Sequence, residues 1–143
     1  MNNVVQVDSL IANEFEFEIN GVSVNGVFRV SSLVTYSADA NGNRNKPTFE
    51  VSKMVQRDAN NVFNKWIRAT MDARDSSEKP TRDVTVVAVD DGVVIRRWTA
   101  KNAWIKGVYY SDFDSGSFEM VAETVIISYD DIEEEWPATS NLE

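Results

Sequence analysis

Residues 14–19 read Glu-Phe-Glu-Phe-Glu-Ile, acidic and apolar at alternate positions. That two-residue period belongs to a strand with one face in a core and one in water. It puts Phe15, Phe17 and Ile19 on the inner face and Glu14, Glu16 and Glu18 on the other. Asn20-Gly21 and Asn25-Gly26 follow, both hairpin-turn dipeptides because these residues tolerate positive φ. Val27 to Leu33 resumes as a strand, with Phe28 and Val30 expected on one face. Residues 38–47 are polar and turn-rich and predict a loop or hairpin tip. Thr48 to Gln56 alternates again with Phe49, Val51 and Val55 in phase, so a long β-hairpin over about residues 33–56 is expected.

The period then changes. Val62, Phe63, Trp66, Ile67 and Met71 recur at helical spacing, and Asp58 stands where an N-cap belongs. This predicts one helix over about 59–73, ended by the polar run from Asp75 to Pro80. Beyond Pro80 the pattern returns to strands. Asp83 to Val89 is apolar on both faces, as in a covered central strand. Asp91-Gly92 predicts a tight turn, Val93 to Thr99 a returning strand, and 103–110 a further one. Ser111 to Gly116 reads as a turn and Phe118 to Tyr129 as the last long strand. The acidic run from Asp130 to Glu135 opens a short C-terminal tail, about 130–143, expected to be loose after Trp136-Pro137. The pattern as a whole predicts a single, mainly β domain over 1–143. Two packed antiparallel sheets form a sandwich or small barrel, with one α-helix flanking them.

Composition narrows the chemistry. The 143 residues contain no cysteine and no histidine, which removes disulfides, thiolate metal sites, and the commonest general base and metal ligand. The net charge is −9, which disfavours tight binding to phosphate backbones. Met1 to Gln6 lacks the basic and apolar segments of a signal peptide, and no apolar stretch approaches membrane-spanning length. Synthesis in the cytoplasm with no membrane insertion is expected.

Several local patterns resemble sites. Asp112-Phe113-Asp114-Ser115-Gly116 has the look of a calcium loop, with Glu123 at the twelfth position. Its glycine comes at the fifth position instead of the sixth and no helices flank it, so an acidic hairpin turn is favoured. Ser76 and Lys79 have the spacing of an acyl-transfer pair, but the companion motifs are missing. The carboxylate pairs Asp90-Asp91 and Asp130-Asp131 and the run Glu133 to Glu135 fall at turns and ends, where solvated acids are normal. No phosphate loop or dinucleotide fingerprint occurs, so no cofactor or metal site and no catalytic residue is assigned. Glu14, Glu16 and Glu18 form a potential acidic wall. Trp66 belongs to the helix stripe, whereas Trp98 and Trp104, six apart, are candidate interface anchors.

The segment Arg97-Trp98-Thr99-Ala100-Lys101-Asn102-Ala103-Trp104 resembles the RW-x-x-x-NAW signature of the tail tube proteins of contractile-tailed bacteriophages, a family that includes the inner tubes of phage-like injection systems. Phe28 to Leu33 resembles its F-x-x-V-S-G-L segment, with Ser32 in place of glycine. Ala122 to Tyr129, with Glu123-Thr124, resembles its closing strand, and Ile105 stands where proline is common. The resemblance spans about residues 13–130. It implies hexameric rings stacked into a hollow tube, the inner sheets of neighbours joined around the lumen, and the hairpin at about 33–56 bridging subunits or rings. Arg97, Trp98, Asn102, Ala103, Trp104 and Glu123 are then fold or assembly residues. Glu14, Glu16, Glu18, Asp112, Asp114 and Glu119 are candidates for an acidic lumen lining. Implied partners are copies of the chain, the sheath, baseplate, tape measure and terminator proteins, and DNA in passage, all in the virion tail. An injection-system or type VI inner tube is the alternative. A calcium- or carbohydrate-binding module, carried by Asp112, Asp114 and the tryptophans, ranks below both.

Overall fold

A computed structural model describes residues 14–75 and 77–137. The N-terminal segment, Ser76 and the last six residues of the tail reading lie outside them.

The elements in order are β1 (Phe15–Ile19), β2 (Val22–Ser23), β3 (Val27–Ser31), β4 (Thr48–Met54), α1 (Val62–Asp72), β5 (Arg82–Asp90), β6 (Val93–Tyr110), β7 (Ala122–Ser128) and β8 (Asp131–Glu135). Among the described residues the fold is mainly β with one helix. The strands form one continuous antiparallel sheet in the order β2-β1-β5-β6-β7-β4-β3, with β8 paired to β6. The two expected sheets are thus two halves of one, joined by the 18-residue β6. The first half of β6 lies between β5 and β8, and its second half pairs with β7. The edge strands β2 and β3 are consecutive in the chain. The sheet therefore curls back toward itself around the core without closing. Val24 N–H donates to Phe17 O at 2.8 Å, extending the β1–β2 ladder, and Met54 N–H donates to Gly26 O at 2.9 Å, extending the β3–β4 ladder, on either side of this seam.

Both two-residue hairpins have the turn their sequence asks for. Asn20 and Gly21 (φ 49° and 79°) and Asp91 and Gly92 (φ 49° and 78°) hold positive φ at both central positions, the backbone twist that matches antiparallel strands.

The core draws on both halves and the helix. Phe17, Ile19, Val84, Val86 and Ala100 come from one half, and Phe49, Val51, Val125, Ile127 and Ile105 from the other. Phe63, Trp66 and Ile67 of α1 complete it. Phe17 stacks on Phe63 with centroids 5.7 Å apart, and the Trp66 indole N–H donates to Pro80 O at 3.0 Å. Each large side chain so buried is worth about 1.5–3 kcal/mol.

Several expectations are corrected. The helix starts at Val62, and its N-cap is Asn61, whose side chain accepts the Asn64 N–H at 2.8 Å. Asp58 instead builds the preceding turn, accepting the Asn60 N–H on its carboxylate and two Asn side-chain amides on its carbonyl. Met71 is exposed, because the core stripe ends one turn earlier. A register shift between Val27 and Arg29 turns Phe28 to solvent and leaves Val27 and Val30 on the core. Residues 118–121 belong to a loop, and β7 begins at Ala122. Asp131 to Glu135, read as the start of the tail, is strand β8.

Candidate assembly surface

The Arg97–Trp104 segment is where β6 changes its neighbours. Its register with β5 shifts between Arg82 and Val84, opposite Ala103 and Ala100. Asn102 there takes φ 51°, a left-handed conformation that Asn tolerates better than other residues with a side chain. The extra residue makes a bulge and reverses which face each following side chain takes. Ala100 points into the core before it, and Ala103 and Ile105 after it. Asp83 holds the kink, accepting Asn102 N–H at 3.1 Å and Lys101 Nζ at 3.4 Å. Trp98 packs on the core, flanked by the Arg96 guanidinium 5.8 Å from its ring. Trp104, across the bulge, lies on the outer face with Lys79 Nζ 4.2 Å over its ring. The two tryptophans are therefore not a pair. An unbroken strand would put positions six apart on one face; the bulge separates them.

Glu123 sits elsewhere, in the core end of the second half. Its Oε1 accepts Lys53 Nζ at 2.6 Å and its Oε2 accepts the Tyr110 hydroxyl at 2.7 Å. Lys53, fully buried, also donates to Asn64 Oδ1 at 3.1 Å and Met54 O at 3.2 Å. All three ammonium protons are used, which an ion taken out of water requires. The network ties β4, β7, β6 and α1 together. The hydrogen bond to Glu123, then burial and the adjacent negative charge, raise the Tyr110 pKa above its ordinary value. With Glu123 committed to Lys53, the twelfth ligand of the calcium pattern is absent. In loop 111–121 the Asp114 carboxylate serves its own turn instead, accepting the Gly116 N–H at 2.9 Å.

The acidic candidates fall into separate groups. Register carries a row across four strands from Glu16 through Val87 and Arg97 to Glu135. A second row runs from Glu18 through Thr85 and Thr99 to Glu133, with the two threonine hydroxyls 3.0 Å apart. Asp83, Lys101 and Asp131 extend the same face. Its six carboxylates outnumber its two cations. Glu14 lies just outside β1, its carboxylate accepting the Gly92 N–H at 3.3 Å. Asp112, Asp114 and Glu119 are in the exposed β6–β7 loop, away from this face. The contributions of Asp131, Glu133 and Glu135 were missed from the sequence. The signal was the apolar Ile132 within the run, partly buried here.

A model of the T4-like virus tail tube protein gp19 matches residues 11–133. The chain belongs to that family. No curated protein matches it in sequence. Among solved structures, this tail tube protein resembles the sheath–tube complex of the extracellular contractile injection system PVC in its extended state. That likeness has a TM-score of 0.72 at 15% identity and covers 90% of this chain and 93% of that one. It also resembles the tube-terminating cap of the anti-feeding prophage (TM-score 0.71, 17% identity, 94% and 96% covered). Hcp1 from Flavobacterium johnsoniae is more distant (TM-score 0.55, 15% identity, 85% and 94% covered). The family is named for a tail tube protein, and the first two structural relatives are named as a sheath–tube complex and a tube-terminating cap, so this chain is a tail tube component of a phage-like particle or injection system. Its fold also accounts for the place where Ser32 replaces glycine. Ser32 takes φ 63°, in the region glycine occupies at no steric cost.

Proposed function

We propose that the tail tube chain assembles as hexameric rings stacked into a hollow tube, with the half-sheet β1-β5-β6-β8 lining the lumen. The observation that carries this is the acidic outer face of that half-sheet, bounded by two strands with edge to offer. Among the described residues β2 and Val24 cover only Phe17 to Ile19 of β1, and β8 pairs only with β6. Unpaired edges are templates for another strand. Joining β8 of one copy to β1 of the next satisfies both and closes a ring. Glu16, Glu18, Glu133 and Glu135 then face the bore and keep passing DNA from adhering. Asp112, Asp114 and Glu119 lie outside that lining. The segment between β3 and β4, held by Tyr129 O–H donating to Val34 O and by Arg44 with Asp131 at 3.4 Å, bridges neighbouring copies. Sheath, baseplate, tape measure and terminator proteins are its partners, and the host cytoplasm is where it assembles.

Negative-stain microscopy of the purified protein tests this: six-fold rings or tubes are expected, and a monodisperse monomer at every concentration and salt overturns it. The likeness to extracellular injection systems supports a second reading, in which the bore carries protein. Capsid and terminase genes nearby would favour the phage; a secretion ATPase without a capsid would favour the injection system.

A further inference from the structure

The two edges that would join copies around a ring carry the same charge. β1 runs antiparallel to β5, β5 to β6 and β6 to β8, so β1 and β8 run in opposite directions. Turning one copy about a ring axis keeps strand direction, and β8 therefore meets the next copy's β1 as an antiparallel pair. Side chains alternate faces along each strand, and burying the apolar sets fixes which residues share the outer face. On β8 these are Asp131, Glu133 and Glu135. On the stretch of β1 left uncovered by β2 and Val24 it is Glu16, with Glu14 just before the strand. Every register that buries the inner faces thus sets carboxylates against carboxylates.

Neither edge brings a cation to the join. Glu16 has Val87 beside it in register, Glu18 has Thr85 and Glu133 has Thr99. Glu135 and Asp131 stand beside Arg97 and Lys101, but these belong to β6, on the side of β8 away from the join, and Lys101 Nζ lies 3.4 Å from Asp83. Arg44 reaches Asp131 at 3.4 Å with both side chains largely in water. The inner face of the same edge is different. Ile132 packs partly on the core, Glu134 is paired with Arg96 at 3.2 Å, and the Arg96 guanidinium lies 3.4 Å over the ring of Trp136, which is still 58% exposed. Across the join, Phe15 is the inner residue of the free stretch of β1. Apolar contact and backbone pairing on this side favour closure, and the outer carboxylates oppose it.

We propose that the β1–β8 edge is an electrostatic latch: ring closure is held off until counter-ions screen Glu16, Glu133 and Glu135 across the joint. Directly opposed side chains in an antiparallel pair have Cβ atoms about 4.5–5.5 Å apart, and like charges there are destabilising. Charges act over about 10 Å at about 0.1 M salt and over about 3 Å at about 1 M. The repulsion is therefore felt in dilute buffer and screened in concentrated salt. The latch rests on the ring reading, and it explains how a chain with two open edges stays dispersed before assembly.

The test is the protein concentration at which rings or tubes first appear by light scattering and negative-stain microscopy, between about 0.1 M and about 1 M sodium chloride. For the wild type this threshold is expected to fall about tenfold or more as salt rises. A Glu16→Gln/Glu133→Gln/Glu135→Gln variant is expected to assemble in dilute buffer at the wild type's high-salt threshold and to respond little to added salt. An Asp112→Asn/Asp114→Asn/Glu119→Gln variant removes the same charge from the exposed β6–β7 loop and is expected to keep the wild-type response. All six side chains are exposed, so both variants are expected to melt like the wild type. General salting-out would shift all three proteins alike. That equal response, or wild-type tubes that form as readily in dilute buffer, would overturn the latch and leave the ring reading standing. No rings from the wild type or the edge variant at any salt or concentration would overturn both.

Discussion

The two halves of the sheet share β6, yet they solve opposite problems. In the half formed by β1, β5, β8 and the first part of β6, polarity is kept on one face: acids outside, Phe17, Val84, Val86 and Ala100 inside. In the half formed by β3, β4, β7 and the rest of β6, charge is taken into the inner face as Lys53 and Glu123. A face that only meets water or a charged cargo needs no individual pairing. A charge buried beneath α1 needs every hydrogen bond satisfied. The first half should therefore tolerate change in its acids, while the second should fail when one partner is removed.

The sharpest break in that comparison is Lys53→Met. It strands the buried Glu123 carboxylate and is expected to cost about 3–5 kcal/mol in denaturant unfolding. Adding Glu123→Leu should recover much of the loss, and a double variant no more stable than the single one would contradict the pairing.

Next is the joint between the halves. Asn102→Val places a β-branched residue at φ 51° and should cost about 1–2 kcal/mol, with Asn102→Gly far milder. Equal effects would mean that the bulge is not what Asn102 provides.

Tyr110→Phe should cost about 1 kcal/mol by removing a donor to a carboxylate. The folded-state pKa of Tyr110 is raised above 10.0. Its contribution is therefore complete below about pH 10 and falls away as pH rises past that point. The wild type should lose more stability than Tyr110→Phe between pH 9 and 11.

Ser32→Gly should add about 0.5–1 kcal/mol, the relief of left-handed strain less the added freedom of glycine when unfolded. A lower melting temperature would refute this. The smallest expected effect belongs to the acidic face. Replacing Glu16, Glu18, Glu133 and Glu135 by Gln together should change monomer stability by under about 0.5 kcal/mol per site. The resulting tubes should retain nuclease-protected DNA that wild-type tubes release.

Much of the fold was legible along the chain. The alternation of residues 14–19, the two Gly-containing turns, the double-sided apolar strand β5 and the helical stripe of Phe63, Trp66 and Ile67 are all local patterns with local causes. The tail tube family was legible in the Arg-Trp to Asn-Ala-Trp segment. The roles of its residues were not, because each depends on a backbone bulge that no side-chain period announces. The N-cap moved three residues because Asp58 and Asn61 are equally good cap residues and only packing chooses between them. Asp131 to Glu135 looks like a solvated tail because its acids dominate, and becomes a strand because β6 offers an edge in continuous register with β7.

The sequence by itself determined most of the strands, the one helix stripe, the Asn-Gly and Asp-Gly turns that close the hairpins, and that histidine and cysteine chemistry is unavailable. These follow from spacing and residue type, and need no knowledge of what lies across the core. Only the tertiary structure decided that two halves share one strand, that Trp98 and Trp104 face opposite ways, and that Glu123 pairs with Lys53 from 70 residues away. It also gathered the acids of β1 and β8 onto one face. Those outcomes rest on register between distant strands, and register is fixed by which apolar sets can be buried together.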